Sequence, residues 1–134
     1  MRTLYHLWLS PFCRKVRIVL AEKKLEVEMQ VEPVWEHRQQ FLALNPAGKV
    51  PVLVEPEGTV LSDSMAITEF LEEVYPEPPL IGGTPEERAE IRRLVAWFDQ
   101  KFNAEVTANL VGEKIMKRFI SVVGSTQQLI LMML

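Results

Sequence analysis

The sequence is short of cysteine, of histidine and of excess positive charge, and each shortage removes a class of function. With the single Cys13 it can build neither an internal disulfide framework nor a cysteine-rich metal cluster, and a reducing, cytoplasmic setting fits best. His6 and His37 alone cannot complete a three-ligand metal site without carboxylates, so no metal is expected. Fifteen Lys and Arg against eighteen Asp and Glu leave a net charge of −3, which argues against electrostatic binding of nucleic acid. No apolar run approaches the ~20 residues of a membrane span, and Met1 to His6 does not open an export signal, so no membrane partner is expected. What remains, 48% apolar and 25% charged residues over 134 positions, is globular in character and large enough for one domain plus a fragment.

Residue periodicity then orders the elements. Thr3 to Leu9 is a largely apolar run that reads as a strand buried on both faces. Ser10 follows as a cap and Pro11 as the first helical residue, and Phe12, Val16, Val19 and Leu20 form one apolar stripe. Glu26 to Glu32 alternates, with Val27, Met29 and Val31 on one face and Glu26, Glu28, Gln30 and Glu32 on the other, as a half-exposed strand does. Trp35 to Leu44 predicts a short helix ended by Asn45-Pro46. Val50 to Val54 and Thr59 to Ser62 predict a hairpin turning on Pro56-Glu57-Gly58. Ser62-Asp63-Ser64 opens a helix whose stripe is Ile67, Phe70, Leu71 and Val74.

The order β-α-β-α-β-β-α requires one parallel pair and one antiparallel pair, hence an α/β fold with a mixed four-stranded sheet. Its expected extent is residues 1–78, followed by a Pro/Gly linker over 79–83. A helical segment over 84–118 starts at the capping box Thr84-Pro85-Glu86-Glu87 and continues through Ile91, Leu94, Val95, Phe98 and Phe102. Residues 119–134 form an atypical apolar tail without a single Asp, Glu, Lys or Arg, which reads as an altered or truncated end.

Three segments can carry chemistry. Ser10 stands where a strand hands over to a helix, beside free N–H groups and the positive end of the dipole, so a thiolate bound there would be stabilised. Plain capping explains the same residue. Cys13 reads as a small buried filler, and without a cysteine at position 10 dithiol chemistry is disfavoured. A cis Val50-Pro51 bond would expose the Val50 backbone as an edge for an extended peptide, with the Lys49 cation adjacent, although a loop proline is the plain alternative. Asp63-Ser64 at a helix start suits an amino-acid zwitterion, the serine taking the carboxylate and the aspartate the ammonium, or serves only as a cap.

In this order and spacing the three segments resemble the glutathione-binding domain of the cytosolic glutathione transferases, a thioredoxin-like fold, over residues 3 to about 118. Ser10-Pro11-Phe12-Cys13-Arg14-Lys15-Val16-Arg17 is similar to the active-site helix of the serine-type classes such as zeta and tau, and omega-class enzymes carry cysteine where this chain has Ser10. The resemblance implies glutathione as cosubstrate, with Ser10 stabilising its thiolate. It assigns Lys49 to the glycyl carboxylate, the Val50 backbone ahead of Pro51 to the cysteinyl unit, and Asp63-Ser64 to the γ-glutamyl end. It further implies a truncated helical domain with an incomplete electrophile pocket. Arg92 to Asn103 with Glu113 to Arg118 resembles the helical domain of the FtsZ-localised division proteins, glutathione transferase relatives that bind the FtsZ polymer. That alternative implies FtsZ as partner and no catalysis. Trp97 and Phe98 read as core or as the face of a homodimer.

Overall fold

A computed structural model of the chain describes residues 1–116, which fall into one compact unit, Met1–Leu80, and a second beginning at Ile81. The apolar tail and the last two residues expected of the helical segment lie outside the described residues. In the first unit β1 (Thr3–His6), α1 (Pro11–Glu22), β2 (Glu28–Val31), α2 (Gln39–Leu44), β3 (Val52–Val54), β4 (Val60–Ser62) and α3 (Ser64–Val74) follow the expected order. The sheet runs β2-β1-β3-β4, with β1 and β2 parallel and the other pairs antiparallel. This is the mixed sheet of the thioredoxin-like arrangement.

One face of the sheet carries the core. Leu4 and Leu53 meet Val16 and Leu20 of α1 and Ile67 and Leu71 of α3, all essentially excluded from solvent. Alternation along β1 turns Tyr5 to the opposite face, where its ring meets Phe41 of α2 at 5.8 Å. Beyond the far end of the sheet, Arg2 binds both carboxylate oxygens of buried Glu55 and also donates to the Tyr75 hydroxyl. Lys23, buried at the end of α1, pairs with Glu72 at 2.8 Å and donates to the carbonyls of Tyr75 and Pro78.

Several expectations are corrected. The first strand stops at His6 because its last pair, His6 with Val31, ends the ladder, and Thr3 and Tyr5 are only half-buried. All four residues of β2 are exposed, since it is the edge strand with a single neighbour. Glu32, expected on the polar face, is fully buried instead, because Arg38 clasps both its oxygens at 3.1 and 2.7 Å. The single helix over Trp35 to Leu44 is broken: Val34–Glu36 makes a 3₁₀ turn, His37 takes φ 48°, and only then does α2 begin. Val34 rather than Trp35 is the buried anchor there. Strand β3 starts two residues late, as Pro51 has no N–H to give the ladder. On α3, Val74 is exposed and Glu72 takes its place inside, held by Lys23.

In the second unit the capping box forms with both arms: Thr84 Oγ1 accepts from the Glu87 N–H, and the Glu87 carboxylate accepts from the Thr84 N–H. Helix α4 (Pro85–Ala96) passes into a wider π-helical stretch over Trp97–Thr107, a short α5 (Ala108–Val111) and a final π-helical turn over Gly112–Met116. The wider winding brings Trp97 together with Phe98 and Phe102, ring centres 4.9 to 5.7 Å apart, instead of one stripe of 3.6-residue period. Trp97 and Phe98 are exposed rather than core residues. Among the described residues no helix is long and apolar enough to cross a membrane.

Candidate functional site

The register of the sheet decides where the three candidate segments lie. Gln30, Tyr5, Val52 and Ser62 stand side by side in one row across all four strands. For β1 that row is near the end leading to Ser10, for β3 it is the start following Val50-Pro51, and for β4 it is the end leading to Asp63-Ser64. All three segments therefore leave the sheet at one end. Helices α1 and α3, which pack against each other, both begin there and direct two positive helix ends to the same rim.

Ser10 caps α1 with extended backbone, φ −71° and ψ 122°, and its Oγ accepts from the Cys13 N–H at 3.3 Å. The residue is nearly buried, and its hydroxyl still has a proton to donate. Cys13 is fully buried. Burial pushes its thiol up, against weaker opposing effects of Ser10, the Leu7 backbone and Arg17, so it stands as a neutral filler beside the cap.

The Val50-Pro51 bond is cis, and Val50 stands two residues ahead of the ladder, whose first β3 pair is Val52 with Tyr5. Lys49 is exposed, and its carbonyl accepts from the Asn45 side chain at 2.8 Å, which ties the loop back to the end of α2. Gly48 before it takes φ +66°, a conformation that side chains disfavour. On α3 the cap is Asp63: its Oδ1 accepts from the Met65 and Ala66 N–H groups at 2.9 and 3.2 Å. Asp63 itself takes φ 75°, and Ser64 behind it is nearly buried. The simple capping reading thus accounts for one oxygen of Asp63, the Oδ1 that takes both bonds.

Residues to which the pattern reading gave no role gather on the stretch that leads from β1 to the first cap. His6 is wholly buried at the end of β1, and Arg17 meets its Nδ1 at 2.9 Å. The same guanidinium lies 4.9 Å from the ring centre of Trp8 and donates to the Leu7 and Trp8 carbonyls. Burial, helped by the Arg17 charge, pulls the His6 pKa down. A histidine at an alternate position of a strand gave the only signal, and it pointed equally to either face.

The family model for the glutathione S-transferase N-terminal domain matches residues 4–79. FtsZ-localized protein A of Caulobacter vibrioides is 50% identical over 123 residues, which span 89% of this chain and 54% of that protein. A glutathione S-transferase structure from Rhodospirillum rubrum superposes with a TM-score of 0.87 at 60% identity, over 90% of this chain and 55% of that one. One from Methylobacterium radiotolerans, in complex with glutathione sulfonate, gives 0.73 at 36% identity, over 80% and 50%. The chain spans about half the length of the curated relatives it matches.

Proposed function

The chain belongs to the glutathione S-transferase family, and from that premise we propose that it binds glutathione at the shared sheet end and stabilises the thiolate with Ser10 for attack on an electrophile. The observation that carries the proposal is the convergence of a buried serine cap, a strand lead-in and a second helix cap on one rim. Each suits one part of the tripeptide. The Val50 backbone, ahead of the ladder, offers an N–H and a C=O to the cysteinyl unit, as an added strand would take them. The exposed Lys49 ammonium reaches for the glycyl carboxylate, and the Asp63-Ser64 cap takes the γ-glutamyl zwitterion.

With the tripeptide so held, its sulfur lies at the start of α1. The thiol proton leaves to solvent, the Ser10 hydroxyl donates to the resulting anion, and the sulfur forms the new bond to the electrophile as the leaving group departs. Ser10 is a donor here and takes no proton. The same reading makes residues 1–78 the glutathione domain, 79–83 the linker and 84–118 part of a helical domain, in a cytoplasm that keeps glutathione reduced.

Isothermal titration of glutathione into the chain tests binding directly. Ser10→Ala is expected to raise the apparent pKa of bound glutathione by about 1 to 2 units, the worth of one charge-assisted hydrogen bond, and to leave affinity largely intact. Ultraviolet absorbance of the thiolate across a pH series measures it. A profile unchanged in Ser10→Ala removes Ser10 from the chemistry.

A second reading has its own support. The 123-residue likeness to FtsZ-localized protein A extends well past the 4–79 match, into the helical segment. On that reading the chain binds the FtsZ polymer without catalysis. It then co-sediments with polymerised FtsZ in the absence of glutathione and equally as Ser10→Ala; a chain left in the supernatant retires the idea.

A further inference from the structure

The loop that leads into the serine cap is held by a group of side chains that no part of the proposed chemistry uses. After His6 the sheet offers nothing more to the chain, and Leu7 to Leu9 must find other partners before Ser10 starts the helix. The Ser10 N–H reaches the Leu7 carbonyl at a long 3.3 Å. Arg17, two turns into α1, supplies the rest. Its Nη1 meets His6 Nδ1 at 2.9 Å and the Leu7 carbonyl at 3.4 Å, and its Nη2 donates to the Trp8 carbonyl at 3.2 Å. The exposed Trp8 ring lies against the guanidinium and meets the edge of His6, ring centres 4.5 Å apart at 84°.

We infer that Arg17, seated on His6, is a positioning residue that fixes the β1–α1 loop and thereby the place of the Ser10 hydroxyl toward a bound thiol. The inference rests on the glutathione reading of Ser10. A guanidinium has only donors, so His6 Nδ1 must accept and the ring proton sits on Nε2, which is buried without a hydrogen-bond partner among the described residues. A protonated His6 would set donor against donor and cation against cation. Burial and the neighbouring Arg17 charge both disfavour the protonated ring, which agrees with an accepting Nδ1. The planar fork is essential, because three acceptors in different directions are met from one rigid group. A lysine ammonium carries the same charge on a single atom and cannot span them.

The test compares the wild type with Ser10→Ala, Arg17→Met and Arg17→Lys. Thiolate absorbance of bound glutathione is read against pH, and the His6 ring nitrogens are followed by ¹⁵N NMR. Both Arg17 variants are expected to lower the thiolate-to-thiol ratio at neutral pH at least about threefold, half a pKa unit. In the wild type His6 is expected as the Nε2–H tautomer, titrating below the ordinary histidine range, with that single tautomer lost in both variants.

A wild-type thiolate profile in Arg17→Lys means charge alone matters and overturns the inference. So does an unshifted profile in both Arg17 variants while Ser10→Ala shifts it, an outcome that leaves the Ser10 reading standing. If Ser10→Ala shifts nothing, or glutathione does not bind, the Ser10 reading has failed and the inference about the thiol falls with it. The ¹⁵N spectra then still decide whether Arg17 holds the loop: an unchanged His6 tautomer in both variants overturns the clamp itself.

Discussion

Glu55→Leu is expected to cost about 3–5 kcal/mol of folding stability, read by chemical denaturation, because it strands a buried cation. The Arg2 guanidinium gives Nε and Nη2 to the two Glu55 oxygens at 2.6 and 2.9 Å, Nη1 to the Glu26 carbonyl and a further bond to Tyr75. The Tyr75 hydroxyl donates to the same carboxylate at 2.9 Å. Without Glu55 these donors face an apolar side chain. The double variant Arg2→Met with Glu55→Leu is expected to recover much of the loss, since no charge is then left unpaired. Truncating Glu90 or Glu105 to alanine, whose partners Arg93 and Lys101 are likewise exposed, is expected to leave the denaturation midpoint essentially unchanged. An equally mild effect for Glu55→Leu would mean that the cluster is wetter than its burial indicates.

The same cluster gives stability a pH dependence of defined sign. Hydrogen bonding from Arg2 holds the Glu55 carboxyl below the usual range, outweighing the opposite effect of burial, and the Arg2 pKa is raised by the same bond. A carboxyl whose pKa is lower in the folded chain stabilises fully above its unfolded value of about 4.3, and the contribution is lost as pH falls through the folded value. Acid should therefore destabilise the wild type more steeply than the double variant. Equal slopes over that window would contradict the assignment.

Phe41→Ala should have a comparable cost, about 3–5 kcal/mol, and should also weaken glutathione binding. Helix α2 has only six residues, too few to persist on propensity alone, and Phe41 is its one buried side chain. That ring, against Tyr5, fastens α2 to the sheet face opposite the main core. From the end of α2, Asn45 holds the Lys49 carbonyl, so the rim that precedes Val50-Pro51 inherits its position from Phe41. Phe41→Leu keeps most of the volume and should retain both stability and binding to within about 1.5 kcal/mol. Lost stability with unaltered titration by glutathione would show that the rim is set independently of α2.

The local pattern of residues was enough to read much of this molecule. Pro11 behind a capping serine, the Pro56-Glu57-Gly58 turn, and threonine with glutamate three positions on are all signals carried by a few neighbours. Each produced its element where expected. The parallel and antiparallel pairings followed too, because loop length limits which strands can meet. Candidate site residues were legible for the same reason: caps and prolines are marked by their immediate surroundings.

Burial of charge could not be read in that way. Glu32 looked like one more polar face residue until Arg38 closed on it, and nothing near Glu55 announces a partner 53 residues away at Arg2. His6 gave no sign of which face it would take. What the chain order alone determined was the succession of strands and helices and the caps and turns at their ends, since these depend on interactions within a few residues. Only the tertiary structure decided that three such ends share one rim, and which ionised side chains go inside. Strand register and ion pairing join residues far apart in sequence, and a buried charge is tolerable only once folding has delivered its counter-ion.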